Sequence, residues 1–354
     1  MTDNLCMTLP NLVEIHFHCF QNCRQVPSYS QLPFLRCLAL GSLESVEYME
    51  MSPHGIQSSP STQTFFPSLQ ELDLRCMKNL KRWWDETEVK DCIDKEKISL
   101  KQSHLCPPSL LFSNLELLHI EDCPNLATLP LCTNVRQVIL NKFNKQLNVL
   151  KKLSSSTVYS DAGSSATIPE CSPRLKSLSV DDVDYLISLP EEHLGHITSL
   201  AIQDSNLLNI CRLKEVFKQL SSLTHLKFSM CESLTLVSEG LEHLTLLNSL
   251  SFQDCGELDL SQNKGLEDGM PWKALNRLQL PQWISCFSSL ESMQLYDCPK
   301  LTCLPEEFGK LSTLNELEIL KCHGLTKRCR CPTGSDWPKI QHIPLLSVKE
   351  RRYW

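Results

Sequence analysis

Apolar residues recur along this chain in one frame, L-x-x-L-x-L-x-x-C-x-x-L-x-x-L-P. The frame reads cleanly at Leu115, Leu118, Ile120, Cys123, Leu126, Leu129 and Pro130. It reads again at Leu290, Met293, Leu295, Cys298, Leu301, Leu304 and Pro305. Further copies start at Leu175, Leu223, Leu247 and Leu314, and looser ones at Leu12, Leu35, Leu69, Val135, Ile197 and Leu275. These make twelve units, several of them 20 to 28 residues apart. Inside each unit, apolar and polar residues alternate around the second and third apolar positions, the period of a strand with one buried face. The later apolar positions turn inward along a descending wall. No unit can bury this set alone, so neighbours must stack into one continuous core.

The pattern therefore predicts an α/β leucine-rich-repeat solenoid of about twelve irregular repeats, curved, with a parallel sheet on its concave face. The solenoid is expected over residues 1–325, with a C-terminal cap over 326–354. Three stretches break the spacing and read as ejected loops on composition, near 51–67, 85–110 and 151–172. The step from Leu275 to Leu290 is too short for a full turn, so one of these two frames is misplaced or truncated.

Composition narrows the function. The 62 Leu fit a repeat, while a net charge of −7 gives no overall attraction to nucleic acid. Only 11 Gly are present, with no phosphate-binding G-x-x-x-x-G-K-[ST]. No run approaches 18 apolar residues, so no membrane span is expected. The first twenty residues lack the pattern of a secretory signal. The 19 Cys are an odd number, and none of the 16 Asn lies in N-x-[ST]. Together these point to free thiols in a reducing compartment, the cytoplasm, with the nucleus as the alternative. No cofactor is expected. No catalytic motif occurs either, so the chain reads as a non-enzyme.

Cys123, Cys231, Cys255, Cys298 and Cys322 share one frame position, where an inward donor serves turn carbonyls. Cys322, His323, Cys329, Cys331 and His342 are donors of types that zinc accepts, but their C-x-C spacing is not that of a zinc knuckle. The outward strand positions supply the candidate partner-binding residues: His16, His18, Asp73, Arg75, His119, Glu121, Lys227, Tyr296 and Glu318. Five units place Asp at the strand end, at Asp122, Asp182, Asp204, Asp254 and Asp297. Such a column would steer a basic partner, or serve the turn after each strand; the two are compatible. Trp83 takes an inward frame position, and Trp84 is expected to face outward. From Lys321 to Trp354 the net charge is +6, against −13 for residues 1–320. The basic tail reads as a cap on the last turn, with Trp337 plugging the exposed core.

The ending carries a resemblance. Leu325, Arg328, Cys329, Gly334, Asp336, Trp337, Lys339, Ile340, His342, Ile343 and Pro344 resemble the C-terminal end of plant coiled-coil NLR disease-resistance proteins. The phrases FPSLQELDL and SLESMQLYDCPKLTCLPEEFGKLSTLNELEILKC are similar to the same family. The resemblance implies a recognition module of plant innate immunity, sensing a pathogen effector or a guarded host protein. In a complete receptor it also implies contacts that hold the nucleotide switch (NB-ARC) inactive. The coiled coil and that switch are absent from this chain, so the NB-ARC domain would have to be supplied in trans. A substrate receptor of a ubiquitin-ligase adaptor is the alternative, which needs an F-box-like segment not seen before Leu12. An extracellular ectodomain is opposed by the missing signal, the missing sequons and the odd cysteine count.

Overall fold

The computed structural model describes residues 9–20, 22–50, 65–84, 111–132, 134–147, 149, 175–204, 210–232, 234, 240–258 and 287–350. The chain divides into two compact units, Met1–Leu175 and Lys176–Trp354.

Strands β1 (Glu14–His18), β2 (Cys37–Gly41), β3 (Tyr48–Glu50), β4 (Glu71–Arg75), β5 (Arg82–Trp84), β6 (Leu111–Phe112), β7 (Leu117–Cys123), β8 (Leu131–Cys132) and β9 (Gln137–Phe143) belong to the first unit. Five of them form a parallel ladder, β1-β2-β4-β7-β9. The short strands lie on the descending side, where β3 pairs β5 and β6 pairs β8. Leu38 and Leu40, Leu72 and Leu74, Leu118 and Ile120, and Val138 and Leu140 turn inward, none more than 1% exposed. Each such side chain contributes roughly 1.5–3 kcal/mol.

In the second unit β10 (Ser177–Val180), β11 (Ser199–Gln203), β12 (His225–Ser229), β13 (Ser249–Gln253), β14 (Ser292–Tyr296), β15 (Glu316–Leu320) and β16 (Leu345–Lys349) pair in sequence order, all parallel. The descending side here is helical in part: α1 (Val183–Ile187), α2 (Glu191–Leu194) and α3 (Ile210–Gln219) precede the tail helices α4 (His323–Arg328) and α5 (Trp337–Ile340). Each unit is thus a stretch of leucine-rich-repeat solenoid. Among the described residues no helix is long and apolar enough to cross a membrane.

Every predicted frame but Leu275 opens a strand of these ladders. β13 pairs directly with β14, in the register Leu250↔Met293 and Phe252↔Leu295. The ladder therefore has no rung between them, and the Leu275 frame lies outside the described residues. The twelfth ladder strand is instead β16, taken from the segment expected to be only a cap. Most of the three predicted loops also lies outside the described residues. The end of the first differs from expectation, because Phe65 and Phe66 are each 1% exposed. They pack with Trp83 and Phe112 at ring-centroid distances of 4.9 to 6.2 Å. The Ser- and Pro-rich residues before them hid an aromatic core on the descending side.

The backbone repeats one device. Seven residues after ten of the frame starts, the chain enters the left-handed region, at Cys19, Ser42, Cys76, Asp122, Lys142, Asp204, Met230, Asp254, Asp297 and Lys321. That twist turns several of these N–H groups onto the next rung: Asp204 donates to Ser229 O, Asp254 to Tyr296 O and Asp297 to Leu320 O, each at 2.9 Å. One position later lies the inward cysteine. The Cys123 thiol donates to Glu121 O at 3.4 Å and to Leu74 O of the preceding rung at 3.6 Å. Cys231 repeats the pair with Ser229 O and Ile202 O. All five frame cysteines are fully buried, and burial pushes the Cys123 thiol up to about 12. The Cys123 thiol is thus a protonated donor to turn carbonyls that would otherwise go unsatisfied.

The tail is held by a buried carboxylate. Asp336, 0% exposed, accepts from Arg328 Nε at 2.8 Å, Arg328 Nη2 at 3.0 Å and the Leu304 N–H at 3.1 Å, with Lys339 Nζ 3.0 Å away. Burial alone would raise its pKa, but these donors hold it below the usual carboxylate range. Trp337 is half-exposed and does not plug the core. Ile340 and Ile343 are buried there instead.

Candidate functional site

Side chains alternate along each strand, so those opposite the inward Leu and Ile positions share one face, and the parallel register lines them up in rows. In the first unit one row runs His16, Ala39, Asp73, His119 and Ile139, and the next runs His18, Gly41, Arg75, Glu121 and Asn141. His16 and His18 are exposed on β1, and His16 Nε2 lies 3.6 Å from Glu14. The His18 ring occupies the space where a Cβ of residue 41 would sit, so Gly41 permits its close approach.

Asp73, Arg75, His119 and Glu121 come together as one cluster. Arg75 Nε and Nη2 each donate to Asp73 at 2.8 Å, and Nη2 also lies 3.1 Å from His119 Nδ1. Arg75 has only donors, so Nδ1 accepts and the ring proton sits on Nε2, 3.7 Å from Glu121. Burial lowers the His119 pKa from its ordinary value; Asp73 and Glu121 oppose this and Arg75 adds to it. His119 is therefore neutral at pH 7, and the cluster largely satisfies its own charge.

The second unit is different. One row runs Ser179, Ala201, Lys227, Ser251, Gln294, Glu318 and Ser347. Its neighbour runs Gln203, Ser229, Gln253, Tyr296, Leu320 and Lys349. Gln203 donates to Ser179 Oγ at 2.8 Å. Lys227 is flanked by Ala201 and Ser251, and Glu318 by Gln294 and Ser347. Neither forms an ion pair among the described residues.

The acidic column is a turn device in four of its five members. Asp122, Asp204, Asp254 and Asp297 occupy the left-handed position, which Asp tolerates. Asp122 lies 3.7 Å from Lys78, and Asp297 lies 3.6 Å from Lys321, whose ammonium sits 5.2 Å from the Tyr296 ring centroid. Asp182 departs from the column: its backbone is extended, and it caps α1 by accepting from the Asp184 N–H at 2.8 Å. A helix begins there where the other units make a turn.

Trp84 is half-buried against Phe65 at 5.8 Å, so it is not a free outward anchor. Among the described residues no group of three or more His, Cys, Asp or Glu comes together to hold a metal ion. Sequence reasoning missed the Asp336 clamp, whose only trace was Arg328 and Asp336 in one short basic segment.

No family model matches the chain. It is 25% identical to TMV resistance protein N of Nicotiana glutinosa over an alignment covering 79% of this chain and 28% of that protein. It is 34% identical to disease resistance protein RGA2 of Solanum bulbocastanum, over 31% of this chain and 11% of that one. The chain thus spans less than a third of the length of these curated relatives. Among solved structures, the TLR13–ssRNA13 complex aligns with a TM-score of 0.46 and 18% identity, over 88% of this chain and 39% of that one. An internalin from Listeria monocytogenes str. 4b F2365 aligns with a TM-score of 0.34 and 12% identity, over 98% and 89%. The repeat fold rests on the ladders themselves rather than on these likenesses.

Proposed function

The repeats resemble those of plant NLR disease-resistance proteins, and on that premise we propose that the chain is a protein-recognition module of plant innate immunity. Its partner is a pathogen effector or a host protein that the effector modifies, and it grips the open face of the second unit. The observation that supports this reading is a pair of adjacent rows, one with Lys227 and Glu318 and the other with Gln253 and Tyr296. A packed ladder fixes their backbones, while Lys227 and Glu318 have no ion pair among the described residues. Preorganised charges such as these two, with no ion pair to break, lose little on binding. The same repeats would contact an NB-ARC domain. The thiols described are all free, which supports a reducing, cytoplasmic setting.

The test replaces Tyr296 by a photo-crosslinking phenylalanine derivative in chain expressed in infected plant tissue, with Thr302 on the descending side as the comparison. The expected result is one adducted protein from position 296, absent from position 302. Equal adducts from both positions, or none from 296, would refute the reading.

A further inference from the structure

The second unit ends in an open edge that the recognition reading does not use. β16 is the terminal strand of its ladder, and its inner side is bonded to β15: Leu345 N–H donates to Asn315 O at 2.9 Å and Lys349 O accepts from Lys321 N–H at 3.1 Å. In a parallel ladder alternate residues direct their backbone groups to opposite sides. The N–H and C=O of Leu346 and Val348 therefore face away, with no neighbouring strand among the described residues. Their side chains stand in register with the fully buried Leu317 and Ile319, yet both remain half-exposed.

These two side chains line a cavity of about 640 Å³ together with Trp337, Lys327, Arg330 and Lys349. The three cations form no ion pair among the described residues, and Glu350 is the one carboxylate among the lining residues. A half-covered apolar floor, an unpaired strand edge and a rim of three positive charges to one negative occur in one place. Unpaired edges accept an added strand, which supplies backbone hydrogen bonds while alternate side chains enter pockets.

We propose that this end of the second unit binds an extended acidic peptide of a partner protein, added as a further strand beside β16. Its apolar residues enter the cavity over Leu346, Val348 and Trp337, and its carboxylates meet Lys327, Arg330 and Lys349. Only Lys349 is shared with a row of the open face, and either reading stands if the other fails.

The probe is a fluorescein-labelled seven-residue peptide alternating glutamate with valine, titrated against the full chain by fluorescence anisotropy. Saturable binding is expected, weakened at least tenfold when lysine replaces glutamate in the peptide. N-methylation of alternate peptide nitrogens should weaken it by a similar factor, because it removes the edge hydrogen bonds. Lys327→Glu with Arg330→Glu should do the same through charge. Val348→Pro removes an outward N–H that β15 does not use, a substitution that edge strands accept. It should lower binding tenfold with the melting temperature unchanged. Equal binding of the lysine and glutamate peptides, or indifference to N-methylation, overturns the proposal. So does binding seen only after residues 351–354 are removed, which makes the chain's own terminus the occupant. Concentration-dependent dimerisation abolished by Val348→Pro would make a second copy the occupant and overturn it as well.

Discussion

The two units build the same ladder but present contrasting surfaces. In the first, neighbouring rungs carry complementary charge in register: Asp73 stands beside His119 and Arg75 beside Glu121. The result is a closed network with a neutral histidine, its groups already paired although Arg75 and Glu121 remain partly solvated. In the second, Lys227 and Glu318 are separated from each other by small or neutral residues, so no such network forms. Register, rather than composition, decides whether an outward charge is paired within the protein or left for a partner. The descending sides differ as well. The first unit fills its side with Phe65, Phe66, Trp83 and Phe112, whereas the second relies on short helices and a clamp at Asp336.

These contrasts can be broken in turn. The largest effect should come from Trp83→Ala, which empties the aromatic core; a loss of about 3–5 kcal/mol is expected. It should appear as faster amide hydrogen exchange in β4 and β7. Asp336→Asn should cost about 2–3 kcal/mol, because two cations lose a buried carboxylate although Arg328 remains partly solvated. Hydrogen exchange in β15 and β16 reports it. The same carboxylate has a folded pKa below its unfolded value, so its stabilisation is present above about pH 4 and disappears as pH falls through the lowered value. Cys298→Ala should cost about 1–2 kcal/mol by leaving carbonyls without their donor, read from urea denaturation.

The smallest effect belongs to His119. Its folded pKa lies below the unfolded value, so the unfolded chain binds more protons between the two. Its contribution is complete above about pH 6.5 and is lost as pH falls below that. His119→Gln should flatten the slope of stability between pH 7.5 and 5.5 in urea denaturation.

Most of the ladder was legible because Leu118, Ile120 and their equivalents carry a strand and its inward face in one short pattern. The left-handed turn was visible only as a recurring Asp, and Met230 or Lys321 at the same place gave no sign of it. β16 escaped notice since LLSVK is not followed by the Cys and Leu positions that mark the frame elsewhere. Phe65 and Phe66 were masked by the polar run before them. Candidate residues were found by alternation, yet pairing across rungs depends on register between segments 44 residues apart, as with Arg75 and His119. Spacing within one unit cannot supply that.

The contrast between the units comes down to which surface meets the partner: the row of Lys227 and Glu318 in the second, and not the paired cluster of the first. Surface plasmon resonance of the protein captured at position 296 against two double variants decides it. Lys227→Glu with Glu318→Lys should weaken binding at least tenfold, while Asp73→Asn with Arg75→Gln should leave it within about twofold. The reverse order of effects would show that the partner sits on the first unit instead.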